Sequence, residues 1–238
     1  DIPSDFELND NQKKQVISVR NKQPIIDKLT INNKLNELTF PLHFIDYETY
    51  PSAIPKIDRL SPHKQHTFQV SIHSLSEGGV LTHFEYLAET MEVSDKMICQ
   101  MKEFTSIEGT FVSWHASFEI GRNKELIYLF PIHTNYLNYI NQNMFDLEYI
   151  FINNYFDFRF HGFSSIKKVL PIICPKLSYL DLEVQDGTMA LDTWGRMVSD
   201  PNFNENLHET KNNLLEYCKM DTEAMVEIYY ELKKIIIL

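Results

Sequence analysis

The feature that most constrains this chain is a pair of acids closing an apolar, strand-like run, Leu42-His43-Phe44-Ile45-Asp46-Tyr47-Glu48. Side chains alternate faces along a strand, so Leu42, Phe44, Asp46 and Glu48 share one face. That face begins apolar and ends in two carboxylates about 7 Å apart along the strand, at ~3.3 Å of rise per residue. A carboxylate at the rim of an apolar layer is costly unless it is paired or metal-bound. Two neighbouring ones repel each other, and a divalent cation removes that penalty. Taken alone, so short a D-x-E pattern fits equally well a core that stops at Phe44, with both acids solvated.

Two other segments carry acids in similar positions. Residues 209–236 have helical spacing. The stripe Leu214, Cys218, Met225, Ile228 and Leu232 lacks one member, position 221, and that residue is Asp. A carboxylate therefore falls on the core-facing side of the helix, with Tyr217 one turn before it. A helix rotated to put Asp221 at the stripe's edge and Tyr217 in the core fits the same pattern. In Trp114-His115-Ala116-Ser117-Phe118-Glu119 a short apolar strand runs into a helix start. Glu119 in the first turn suits the helix dipole, with Ser117 as cap; an ordinary N-terminal acid is the plain reading of that segment. Together the three segments supply Asp46, Glu48, Glu119 and Asp221, with Tyr217 beside the last. Four oxygen donors without cysteine partners suit two hard cations, Mg²⁺ or Mn²⁺. Two such ions about 3.5–4 Å apart support phosphodiester cleavage.

The rest of the chain frames these segments. Its 238 residues, 43% of them hydrophobic, exclude a disordered chain and allow one large domain, or one domain with an appendage. Asp and Glu outnumber Lys and Arg 33 to 22, for a net charge of −11. That balance opposes coating nucleic acid by charge alone, but not an enzyme whose acids are neutralised by cations. The three cysteines, Cys99, Cys174 and Cys218, are widely spaced and form no CxxC, so neither a disulfide framework nor a zinc knuckle is expected. A reducing cytoplasm is the natural setting. No apolar run approaches the ~18 residues of a membrane span, and the acidic start DIPSDFELND shows no signal-peptide pattern.

Residues 1–38, polar and rich in Asn and Lys, read as a connector or adapter to something upstream, with the globular domain at 39–238. The absence of an initial Met points the same way. From about residue 39, alternation predicts strands over LTFPLHFIDYETY (38–50), 66–75 and 80–87, the last two joined by a Ser76-Glu77-Gly78-Gly79 hairpin turn. Helical spacing covers 93–104, 117–129, 133–142, 186–198 and 209–236, and 110–114 is a short strand. Residues 143–151 are ambiguous between strand and helix, and a short helix over 164–170 is expected to end at Pro171. Three meandering strands followed by alternating elements predict an α/β fold, a mixed five-stranded sheet flanked by helices.

At the acidic motifs the sequence resembles the DnaQ-like superfamily of 3′–5′ exonucleases, in its tyrosine-type branch. Asp46-Tyr47-Glu48 matches that branch's first motif, Phe118-Glu119 its second, and Tyr217-Cys218-Lys219-Met220-Asp221 its third. The longer blocks FPLHFIDYETY, IPKIDRLSPHKQHTFQVSIHSL, GTFVSWHASFE, GFSSIKKVLPIICPKLSYLDLEVQDGTMA and YCKMDTEAM resemble an uncharacterised bacterial domain family of that superfamily, often C-terminal to a RecB-like nuclease domain. The resemblance implies an RNase H-like sheet over residues 40–238 and two-metal hydrolysis of DNA or RNA. Asp46, Glu48, Glu119 and Asp221 would be ligands, Tyr217 would orient water, and single-stranded 3′ ends would be substrate. An upstream nuclease domain would be a partner. Two departures stand out: Glu119 replaces a usual Asp, adding a methylene, and His115 stands where Asn is common.

Candidates for substrate contact are His115, Ser117, Lys167 and Lys168, the lysines beside Ser164 and Ser165 suiting phosphate. A solvated helix face explains them equally. Trp114, Tyr47 and Phe68 could stack on bases or simply fill the core. The main alternative is a catalytically weak or inactive module that binds nucleic acid or a partner beside another nuclease. A phosphatase with an Asp nucleophile fits less well, because Glu48 and Tyr50 depart from its pattern. Nine histidines without HExxH argue against zinc hydrolysis, with His63 and His66 a polar loop.

Overall fold

The computed structural model describes residues 2–3, 5–54, 61–92, 94–203 and 206–237. The stretch 55–60 of the second long block quoted above lies outside them. The chain opens with α1 (Asp10–Asn21), β1 (Ile25–Ile26) and α2 (Lys28–Asn36). A meander follows: β2 (Leu42–Pro51), β3 (Gln65–Leu75) and β4 (Leu81–Leu87). Then come α3 (Lys96–Thr105), β5 (Thr110–Ser113), α4 (Ser117–Leu129), α5 (Thr134–Gln142), β6 (Met144–Asp146), α6 (Glu148–Asn153) and β7 (Tyr155–Phe156). The chain closes with α7 (Ile166–Ile173), α8 (Gly187–Ser199) and α9 (Leu207–Ile237).

The sheet has the order β4-β3-β2-β5-β6. β2, β3 and β4 pair antiparallel, while β5 runs parallel to β2 and β6 parallel to β5. This is the α/β, RNase H-like arrangement expected, with helices on both faces. The alternation of β2 divides the core. Leu42 and Phe44 join the cluster built with α2, α6, α7, α8 and α9, whereas Ile45 and Tyr47 join the one built with α3, α4 and α5. Continuing that alternation sends Asp46 and Glu48 to the α9 side. The register slips between Glu48 and Thr49, and such a bulge bends a strand locally.

Three local outcomes refine the sequence expectations. Residues 143–151 hold both structures, β6 and then α6, because a three-residue parallel strand turns directly into a helix. α7 continues through Pro171 to Ile173; the ring removes one amide donor, and the helix runs only two residues further. The segment 1–38 contributes to the same core as the rest: Ile31 and Leu35 are buried in it, and β1 pairs with β7 through Ile25 and Phe156. Among the described residues, no helix is long and apolar enough to cross a membrane.

Candidate functional site

At the C-terminal end of β2 a cleft of about 410 Å³ opens against α9 and α7. Asp46, Glu48, Tyr217 and Asp221 line it, with Lys167, Trp114, His115 and Glu148 around the mouth. The long final helix lays its apolar stripe on the sheet, burying Leu214, Cys218, Met225 and Ile228. Asp221 is carried in with the stripe and is only 8% exposed. Asp46, Glu48 and Cys218 each present a donor atom within 4.8 Å of the others. The Cys218 thiol lies 3.7 Å from both the Asp46 carbonyl and its carboxylate.

These carboxylates are short of compensation. Burial, then the charges of Asp221, Glu48 and Glu119, push the Asp46 carboxyl well above its ordinary range. Burial and the Asp221 charge raise Glu48 to about 8, against the pull of Lys167. Burial raises Asp221 to about 6, eased by hydrogen bonds from Tyr179 and Tyr217 and by Lys167. Among the described residues lining the cleft, Lys167 is the one permanent cation. Its ammonium donates to the Tyr217 hydroxyl at 3.1 Å and to the Gln185 carbonyl at 2.7 Å. It also sits 4.9 Å from the Tyr217 ring centre and 5.3 Å from that of Tyr179. Clustered carboxyls pushed up by burial and by one another's charge, with a single cation beside them, fit a hard divalent cation, which would supply the missing positive charge. Asp46 and Glu48 could hold one together; Asp221 lines the same cleft but lies outside the set of donor atoms within 4.8 Å of one another.

Glu119 stands apart. It is in the first turn of α4, 2% exposed, and accepts a 2.9 Å hydrogen bond from the Ser113 hydroxyl. Its charge reaches Asp46 and Glu48, but it does not line the cleft. Burial raises it to about 7, partly offset by its own backbone N–H and by Ser113. The N-cap of α4 is Ala116, not Ser117, and it makes no side-chain capping bond.

Of the proposed contact residues, His115 and Lys167 line the cleft, whereas Ser117 and Lys168 are exposed outside it. His115 makes the turn from β5 to α4 with φ of 70°, a left-handed conformation uncommon for a residue with a Cβ. Its Nδ1 lies 2.9 Å from Glu148 Oε2, and its backbone N–H donates to Asp146. Trp114 lines the mouth and donates its indole N–H to the Ser164 carbonyl at 3.1 Å. The Tyr47 hydroxyl is turned away to Asn123 at 2.9 Å, and Phe68 stacks on Trp194 in the core. His63 is exposed; His66 is buried beside Trp194.

Sequence reasoning passed over Tyr179, Asp146 and Glu148. The Tyr179 hydroxyl donates to Asp221 at 2.5 Å, and nothing local in the sequence marks it. Asp146-Leu147-Glu148 does carry a signal: it repeats D-x-E at a second parallel strand's end. Glu148 accepts from the Ser164 hydroxyl at 2.7 Å and braces His115.

These features define an α/β domain with an acidic cleft at the strand ends of a mixed sheet. The chain belongs to the family described as a domain of unknown function, DUF2779, whose profile matches residues 43–165. It is 29% identical over 217 residues to the uncharacterised protein MG366 of Mycoplasma genitalium, covering 82% of this chain and 32% of that one. It is 26% identical over 220 residues to the uncharacterised protein UU173 of Ureaplasma parvum, covering 81% and 31%. The chain thus spans about a third of the length of the curated relatives it matches. No solved structure matches it significantly.

Proposed function

We propose that the acidic cleft is the centre of a metal-dependent nuclease, a DnaQ-like, tyrosine-type 3′–5′ exonuclease acting on single-stranded DNA or RNA ends. The observation that carries this reading is the meeting, in one cleft, of the D-x-E of β2 with Tyr217 and Asp221 of α9. Asp46, Glu48 and Asp221 would hold Mg²⁺ or Mn²⁺. Such cations, when bound, acidify water and stabilise the leaving oxygen. Tyr217 holds its phenol at the cleft, where it can orient the attacking water. Lys167 brings the charge that a phosphate needs. His115, whose pKa is raised mainly by its hydrogen bond to Glu148, adds a second positive group at the mouth as pH falls. Trp114, which lines the cleft, could stack on a terminal base.

The test is digestion of 5′-labelled single-stranded DNA and RNA with Mn²⁺. The wild type should shorten substrate stepwise from the 3′ end. Asp46→Asn and Asp221→Asn should lose more than the roughly 10–100-fold that removal of an outer-shell partner costs. Indistinguishable wild type and variants would overturn catalysis at this site. One observation favours a second reading, a nucleic-acid or partner-binding module: Glu119 is withdrawn into a hydrogen bond with Ser113 rather than offered to the cleft. Nucleic-acid binding with no calorimetric Mn²⁺ binding at millimolar concentration would select that reading.

A further inference from the structure

Outside the acidic cleft, a second group of metal-ligand side chains comes together. Asp95 immediately precedes α3, Cys99 lies one turn into it, and His133 ends the 3₁₀ turn before α5. Their donor atoms all lie within 4.8 Å of one another. His133 Nε2 is 3.0 Å from Asp95 Oδ2 and 3.9 Å from Cys99 Sγ. None of the three lines the acidic cleft.

Two features set this group apart from an ordinary surface ion pair. The first is convergence. Carboxylate and thiol both approach the same ring nitrogen, Nε2. A nucleophilic Cys–His–Asp relay needs the thiol on one ring nitrogen and the carboxylate on the other, so this is not a relay. Three different donors facing one point are what a shared cation requires. The second is the conduct of Asp95. It occupies the N-cap of α3 and makes no capping hydrogen bond, although that bond is the usual reason for Asp there. Its carboxylate turns to His133 instead, and the Ser94 hydroxyl accepts the Lys96 N–H at 3.2 Å.

Thiolate, imidazole and carboxylate form a borderline-soft donor set that suits Zn²⁺ over Mg²⁺. With Zn–S about 2.3 Å and Zn–N and Zn–O about 2.0–2.2 Å, tetrahedral donors stand about 3.4–3.6 Å apart. The separations of 3.0 and 3.9 Å lie on either side of that value, and the third, between Asp95 and Cys99, is within 4.8 Å, so side-chain shifts of up to about 1 Å would complete the geometry. Cys99 is the one cysteine of the three that is not buried, so an ion can enter.

We propose that Asp95, Cys99 and His133 form a zinc site with one coordination position left to water, tying the start of α3 to the turn before α5. It stands independently of the nuclease reading. Binding breaks the Cys99 S–H bond, forms a sulfur–zinc bond and releases the proton to solvent.

Cobalt(II) is the probe, since a thiolate ligand gives it a charge-transfer absorption in the near ultraviolet. The wild-type chain should develop that band to a 1:1 endpoint, and equimolar zinc should abolish it and shield Cys99 from iodoacetamide, mapped by peptide mass. Asp46→Asn should behave as wild type, so failure of the acidic cleft as a metal centre leaves this signal intact. Cys99→Ser should remove the band, which matters because Cys218 lies beside Asp46. His133→Ala and Asp95→Asn should weaken cobalt binding by roughly 100-fold or more, beyond an outer-shell effect. Circular dichroism will show whether each variant is folded; Asp95→Asn keeps a residue that can cap α3. No band in the wild type, a band that survives Cys99→Ser, or zinc that leaves Cys99 open to alkylation would overturn the proposal.

Discussion

Tyr179 touches the acidic cleft from behind, through one hydrogen bond to Asp221. A bond donated to a carboxylate stabilises its ionised form, and this one helps to lower Asp221 against the effect of burial. Tyr179→Phe should therefore raise the Asp221 pKa further. If ionised Asp221 is needed for metal binding, the rising limb of the pH–activity profile should move to higher pH, with a rate loss of roughly 10–100-fold at fixed Mn²⁺. A purely structural role for Tyr179 would lower the melting temperature and leave that limb in place. Tyr217→Phe makes a useful contrast. It removes the phenol at the cleft and the acceptor of Lys167, so the turnover number should fall while the limb moves less. The motif spacing made Tyr217 visible beforehand. Tyr179 was invisible, because its contact with Asp221 crosses 42 residues and obeys no local period.

At the scale of elements, the site depends on how β5 is set against β2. Gly109, with φ of +74°, precedes β5, and a Cβ there would meet the Pro41 carbonyl oxygen at 2.0 Å. That oxygen also accepts the Thr110 N–H, at 3.1 Å. Gly109→Ala must either push the strands apart or adopt another backbone conformation. It should cost at least about 1–3 kcal/mol, read as a lower urea midpoint with little change in slope. Activity per folded molecule should fall less than in the cleft variants. The hairpin, α4, α8 and α9 were legible from period and turn residues. Residues 143–151 were not, because three strand residues followed by six helical ones give neither period room to repeat. The Asn- and Lys-rich start read as a connector because α2 buries only Ile31 and Leu35, too few to outweigh its polar surface in a composition window.

For the whole molecule, two sets of buried titratable groups oppose each other. Glu48, Glu119 and Asp221 have folded-state values of about 8, 7 and 6, above those of an unfolded chain. Raised values mean a contribution to stability that is complete at acid pH and lost as pH climbs through them. His43, His66, His73 and His83 are pushed down by burial to about 4, 4, 3 and 4. Depressed histidines contribute stability above pH ~6.5 that is lost as pH falls toward those values. In chelator, the melting temperature should therefore fall between pH 6.5 and 8.5, where the acids dominate. Millimolar Mn²⁺ should flatten that decline, since a ligand at 100 times its Kd adds about 2.7 kcal/mol. With saturating metal, the loss below pH 6.5 should remain. A decline unaffected by metal would count against a cation among these acids.

By itself the sequence determined what period, turn chemistry and motif spacing can encode. That covers the antiparallel hairpin, the helices from α3 onward other than α6, the alternation placing Asp46 and Glu48 on one face, and the Asp that interrupts the stripe of the last helix. These are local regularities, set by backbone geometry within a few residues. Only the tertiary structure decided that Glu119 withdraws to Ser113, that Tyr179 and Glu148 back the site, and that residues 25–36 join the core. It alone brought Asp95 and Cys99 to His133. Except for Glu119, whose partner Ser113 is only six residues away, each of those depends on contacts between segments far apart in the chain, where packing and the need to satisfy buried polar groups select the partners.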